Sequence, residues 1–278
     1  MGLPQELVDL IVSMLSDDIP ALKACSLTCK AMFVSTQHLI HRTLRLPNDP
    51  HAHEQKLRYL RWNTHNTTLY FLSQMAERGL LQHTQRIHIR MARTFTPGAL
   101  LPHLHHLQSL DRVHTLIIEH CNPILWESHF ETCFAHFYPT LTSLTLSRPT
   151  GPYQTLLRFA LQFPNLENLC LEWMTVKITD IPIPPPGPIA SATADQRPPL
   201  RGHLRLAGYG TALHLPTSFI LALPNGMGFR SVELEKFFGF RARHILNACG
   251  RTLEHLTVIP EEAGACRVPC FQWVWRRD

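Results

Sequence analysis

Two different apolar periods divide the chain. Near the start, Leu3, Leu7, Ile11 and Leu15 recur every four residues, which places them in one stripe along a helix. Pro4 and Glu6 suit its first turn, because proline lacks an N–H that would be unpaired there and the carboxylate meets the positive end of the helix dipole. The spacing predicts a helix over about residues 4 to 16. Asp17, Asp18 and Pro20 then break the period and can cap a second helix, on which Leu22, Cys25 and Cys29 share a face with Met32 or Phe33 nearby. Leu39, Ile40, Leu44 and Leu46 form a third apolar set. Three short helices in under fifty residues make a core too small to stand alone, so this segment is expected to rest on the rest of the chain.

Beyond it the pattern changes to apolar-x-x-apolar-x-apolar. It runs through Val113, Leu116 and Ile118, then Leu141, Leu144 and Leu146, then Leu166, Leu169 and Leu171. Leu200, Leu204 and Leu206 form a stretched copy, followed by Phe229, Val232 and Leu234, and by Leu253, Leu256 and Val258. Ile87 and Ile89 are a degenerate early copy. Start-to-start distances are 24 to 34 residues, and helix-length apolar stretches at 100–110, 125–137, 155–163 and 242–249 lie between the copies. Strand, helix, strand at such a period implies a right-handed solenoid with a parallel sheet.

The longest spacing contains "DIPIPPPGPIASATADQRPP", residues 180–199, with seven of the 22 prolines. Proline cannot donate to a ladder, so this reads as an extruded insertion. Residues 47–83 form a helical connector, its second helix ending at Gly79. At the far end Phe271, Trp273 and Trp275 alternate onto one side, as a final edge strand covering the last repeat would.

Composition removes several classes of function. The chain has 278 residues, 45% hydrophobic and 17% charged, enough to bury a sizeable core without metals or disulfides. Asp9 and Asp17 interrupt the best apolar stretch, and the first twenty residues hold no Lys or Arg, so neither a membrane span nor an export signal is expected. Eight scattered cysteines read as reduced thiols. A net charge of +5 with no basic run gives no support to nucleic-acid binding.

The string Leu3-Pro4-x-Glu6-Leu7, then Ile11, Leu15 and Leu22, then Cys25-Ser26-Leu27-Thr28-Cys29-Lys30, resembles the F-box motif in the form common among fungal F-box proteins. The resemblance covers about residues 3 to 46. It implies a segment that binds a Skp1-like adaptor and, through it, a cullin. The implied adaptor contacts are Leu3, Pro4, Leu7, Ile11, Leu15, Leu22, Cys29 and Met32. Met32 stands where the family usually places Trp, with Phe33 one position later. The later pattern resembles the leucine-rich-repeat family, with Cys121 alone at the final signature position. The expected architecture is therefore α/β: a helical F-box bundle over 1–46, the connector over 47–83, and an irregular leucine-rich-repeat-like solenoid over 84–278.

No catalytic centre, metal site or cofactor site is legible. The chain lacks Gly-x-Ser-x-Gly, Gly-x4-Gly-Lys-Ser/Thr and His-Glu-x-x-His. His103 and His106 have helical ligand spacing without carboxylate support, and Cys25 with Cys29 lacks a second ligand pair. The expectation is a non-enzymatic receptor of the cytoplasm or nucleus, the substrate-recognition subunit of an SCF (Skp1-cullin-F-box) ubiquitin ligase. The alternative is a repeat scaffold whose bundle binds no adaptor. Outward positions of the strands supply candidate contacts to a protein client: Glu119, Asn168, Glu172, Arg205, Glu233 and Glu235. Four glutamates among them suggest an acidic groove for a basic client segment.

Overall fold

The computed structural model describes residues 3–46, 72–90, 107, 110–120, 134–149, 159–160, 162–173, 200–208, 227–235, 245–247, 249–259 and 273–276. The chain forms two compact units, one of Met1–Arg90 with Gly98–Thr115, the other of Met91–Pro97 with Leu116–Asp278. The Pro-rich insertion, Cys121, His103, His106, the first connector helix, Phe271 and most of the expected inter-strand helices lie outside the described residues.

The first unit opens with three helices: α1 (Gln5–Met14), α2 (Ile19–Ser26) and α3 (Lys30–Ile40). As expected, Asp18 caps α2, its Oδ1 accepting the Ala21 N–H at 2.9 Å. Val8, Val12 and Leu22 form the bundle core, with Leu15, Ile19, Ala31, Met32, Leu39 and Ile40 packed around it. Cys29 does not belong to the second helix. It is the extended residue that starts α3, so it cannot share the face of Cys25.

The third apolar set also divides. Leu39 and Ile40 end α3, whereas Leu44 and Leu46 alternate on a strand, β1 (Thr43–Leu46), because their spacing of two suits a pleat and not a helix. β1 pairs in parallel with β2 (Arg86–Arg90), Leu44 opposite Ile87 and Leu46 opposite Ile89. The Arg42 carbonyl accepts the N–H groups of Gln85 at 2.9 Å and Arg86 at 3.0 Å, which joins the end of the bundle to the start of β2. A helical segment over 72–77 buries Leu72 and Met75. It stops where expected, at Gly79, whose φ of 66° is the left-handed value that glycine adopts without cost.

In the second unit β3 (Thr115–Glu119, from Leu116 onward), β4 (Ser143–Ser147), β5 (Asn168–Glu172), β6 (Leu200–Ala207), β7 (Met227–Glu235), β8 (His255–Ile259) and β9 (Trp273–Arg276) follow one another in chain order. β4 to β8 pair in parallel, and β9 returns antiparallel to β8, as a closing edge strand. The register aligns the apolar signature in two columns: Leu144, Leu169, Leu204, Val232 and Leu256, then Leu146, Leu171, Leu206, Leu234 and Val258. All but the β8 pair are buried. Each buried Leu contributes roughly 1.5–3 kcal/mol relative to exposure.

Behind the strands, the described parts of the connections bring Phe134, Phe137, Phe159 and Phe163 together. Phe159 meets Phe163 edge to face at 5.1 Å and Phe134 at 6.0 Å. The leading leucine of a repeat is then seated by a turn, as when the Leu141 N–H donates to Phe137 O and the Leu253 N–H to Cys249 O, both at 2.9 Å.

The ends of three strands share an unusual corner. His120 (φ 58°), Arg148 (φ 50°) and Trp173 (φ 53°) follow β3, β4 and β5 in the left-handed region, which costs a non-glycine residue about 1–2 kcal/mol. Gly202 solves a different problem. The β6–β7 register shifts between Gly202 and His203, φ at Gly202 is 97°, and a Cβ there would run into the Glu167 carbonyl oxygen. That carbonyl also accepts the His203 N–H at 2.8 Å, so it cannot retreat without breaking the bond. Gly202→Ala is therefore expected to destabilise the chain by at least about 2 kcal/mol in denaturant unfolding, whereas Gly250→Ala, with no positive φ, costs less.

Candidate functional site

Two surfaces collect the candidate residues, one in each unit. On the helical bundle α1 is apolar on opposite sides. Val8 and Val12 face the core, while Leu3, Leu7, Leu10, Ile11 and Met14 are exposed, Leu3 by 61% and Met14 by 80%. Leu7, Leu10, Ile11 and Met14 fall at helical spacing and make one stripe on α1, and Leu3 precedes the helix beside its extended N-cap, Pro4. Leu27, Phe33 and Val34 are exposed as well. The stripe is not part of the bundle core, which Val8, Val12 and Leu22 form.

Of the expected adaptor contacts, Leu3, Pro4, Leu7, Ile11 and Cys29 are exposed and available. Leu22 is not: it is fully buried at the centre of the bundle, where it packs against Val8 and Val12, so its expected adaptor contact is replaced by a core role. Leu15 and Met32 are half-buried against the same core. The sequence reading missed Leu10 and Met14, which the i+3 and i+4 spacing from Leu7 and Leu10 would have added to the stripe.

The rotation of α1 is fixed by a polar knot. Gln5 Nε2 donates to Ser35 Oγ at 2.8 Å and to Asp9 Oδ1 at 2.9 Å, and Ser35 Oγ donates to Asp9 Oδ1 at 2.6 Å. The Ser35 and Gln5 hydrogen bonds hold the Asp9 carboxyl below its ordinary value. Gln5, Asp9, Ser13, Val34, Ser35 and His38 line a groove of about 560 Å³ between α1 and α3.

In the second unit the outward positions of β5, β6 and β7 converge on Arg205. Its Nη2 donates to Glu235 Oε2 at 3.0 Å, its Nη1 lies 3.8 Å from Glu172 Oε1, and its Nε lies 3.1 Å from Glu233 Oε1 without the alignment of a hydrogen bond. Burial works against the guanidinium charge, but the Glu235 hydrogen bond and the surrounding Cys170, Glu233 and Glu172 outweigh it and raise its pKa above the usual value. Three of the four glutamates expected to line an open acidic groove are thus held by one arginine, and the cluster keeps two net negative charges. Glu119, on β3, and the exposed Asn168, at the start of β5, share the outward phase of the alternation.

His203, Ser231 and Glu233 also stand in sequence across β6 and β7. His203 Nδ1 is 3.0 Å from Ser231 Oγ, and its Nε2 is 4.0 Å from Glu233 Oε2. Burial depresses the imidazole, the Glu233 charge opposes that shift, and Arg205 adds to it. The three have the order of nucleophile, base and orienter, yet Glu233 stands 4.0 Å from the imidazole, beyond hydrogen-bond reach, and is shared with Arg205. Cys170 is no better placed for nucleophilic work. Burial, the Glu172 charge and a 3.5 Å Sγ–H to Glu172 Oε1 hydrogen bond push its thiol up to about 12. Among the described residues no group of three or more His, Cys, Asp or Glu could hold a metal ion, and no helix is long and apolar enough to cross a membrane.

Replacing the central cation tests the cluster. Arg205→Gln leaves three carboxylates facing one another, and protonating any one of them relieves the repulsion. The variant is expected to lose about 1 kcal/mol at pH 7.5, less than a fully buried pair would because the side chain is 39% exposed, and to recover as the pH falls toward 5. Thermal unfolding across that range, compared with wild type, provides the check. No family model, curated protein or solved structure matches this chain.

Proposed function

We propose that the chain is a non-catalytic receptor of F-box type, in which the exposed stripe of α1 docks a Skp1-like adaptor and the outward face of the second unit holds a protein client. The observation that carries the reading is the stripe itself. Leu3, Leu7, Ile11 and Pro4, four of the motif's expected contacts, are exposed on a folded three-helix bundle whose core is already closed by Val8, Val12 and Leu22. Burying such a stripe contributes about 25 cal/mol for each Å² of apolar surface removed from water, which gives a partner a strong reason to cover it.

The Met32 difference changes meaning in this reading. Met32 is half-buried against the bundle core, so adaptor contact near that position falls to Phe33, which is 49% exposed. A client on the outward face would meet the residual negative charge of Glu172, Glu233 and Glu235, which suits a basic segment. Function then follows from proximity: the receptor raises the effective concentration of client lysines near a cullin-bound conjugating enzyme, with no chemistry of its own, in the cytoplasm or nucleus. The second reading, a repeat scaffold without an adaptor, draws on the half-burial of Met32, because the bundle then presents little of the side chain at the position where the family has Trp.

Co-purification with a recombinant Skp1-like adaptor separates the two. Leu7→Asp with Ile11→Asp is expected to weaken capture by about a hundredfold while circular dichroism stays unchanged, since both positions are already exposed. Wild-type protein that captures no adaptor at micromolar concentration would remove the ligase reading and leave the scaffold.

A further inference from the structure

The corners after β3, β4 and β5 keep large side chains where the backbone favours none. His120, Arg148 and Trp173 all have φ between 50° and 58°, a region in which glycine carries no steric penalty. The same chain uses glycine at its other positive-φ positions among the described residues, Gly79 and Gly202. The corners are also in register. The N–H of His120 donates to Ser147 O, that of Arg148 to Glu172 O and that of Trp173 to Ala207 O, each at 2.8 Å. Each corner thus repeats the last one a strand further along, so the three residues occupy equivalent positions on successive strands at the spacing of about 4.8 Å. Arg148 is exposed, and His120 and Trp173 are half-buried.

The row lies at the carboxyl ends of parallel strands, the edge where α/β sheets place ligands. Its chemistry is opposite to that of the neighbouring outward face. There Glu172 and its companions hold Arg205 and retain negative charge. At the corners a histidine, an arginine and a tryptophan follow one another on adjacent strands, residue types that pair with a carboxylate and stack on an aromatic ring. We propose that the His120–Arg148–Trp173 row is a docking surface for an acidic, aromatic-bearing segment of a protein partner. The retained strain is then the consequence of needing side chains at these corners. The surface is independent of the adaptor stripe on the other unit.

The test uses the full chain and a fluorescein-labelled glutamate–tyrosine copolymer followed by anisotropy. Wild type is expected to bind saturably. Arg148→Gly and Trp173→Gly should each weaken binding by about tenfold, the scale of a lost charged hydrogen bond, while the unfolding midpoint rises or stays level because the corner is relieved. Arg148→Lys, which keeps a charge, should lose less than Arg148→Gly. Unchanged affinity in both glycine variants overturns the proposal. So does a fall in the unfolding midpoint that accounts for the lost binding, because the side chains would then be structural. Preference for single-stranded DNA or phosphatidylserine vesicles over the copolymer also overturns it. Binding by the Leu7→Asp, Ile11→Asp variant at wild-type strength keeps this result separate from the adaptor reading.

Discussion

Everything in the second unit depends on one register. In a parallel sheet each strand must be followed by a crossover before its neighbour can pair, so no hairpin turn sets the alignment. The alignment comes from the side chains. With Leu144 over Leu169 over Leu204, and Leu146 over Leu171 over Leu206, a slip of one residue would turn both columns outward and bring Arg205 and Glu233 into the core. Burying an unpaired charge costs far more than losing a methylene, so the polar alternation guards the register as firmly as the leucines do. The Arg205 cluster is a product of that constraint. Glu172, Arg205 and Glu233 come from three strands, and only the aligned register brings Arg205 within ion-pair reach of all three carboxylates.

The strands were legible for the same reason. A period of two within each copy and a period near thirty between copies are both set by the leucines, so the positions of β3 to β8 could be read directly. β1 was missed although Leu44-x-Leu46 carries the same signal, because it sits beside Leu39 and Ile40 and was absorbed into their helical spacing. Charge relations were the less legible part. Arg205, Glu172, Glu233 and Glu235 were all identified as outward-facing. Their mutual neutralisation required knowing that Arg205 lies opposite Cys170 and Glu233, between two glutamate-bearing strands, which follows from register and not from periodicity. The left-handed corners gave little sequence signal, since of the three only histidine is a type enriched in that region.

The helical bundle presents the inverse case, in which hydrophobicity is abundant and therefore indecisive. On α1 the larger set, Leu7, Leu10, Ile11 and Met14, is exposed, and the smaller set, Val8 and Val12, is buried. Area alone would favour the opposite rotation. Two observations explain why it does not occur. The core around Leu22 is already crowded by Ile19, Ala31, Met32, Leu39 and Ile40, which leaves room for valine and little for leucine. The rotation that buries the larger set would also carry Gln5 and Asp9 away from Ser35, a residue only 5% exposed whose hydroxyl donates to the Asp9 carboxylate. A buried hydroxyl deprived of that acceptor retains only its 3.1 Å contact to the Ala31 carbonyl. The polar knot therefore selects the rotation that leaves the leucines outside.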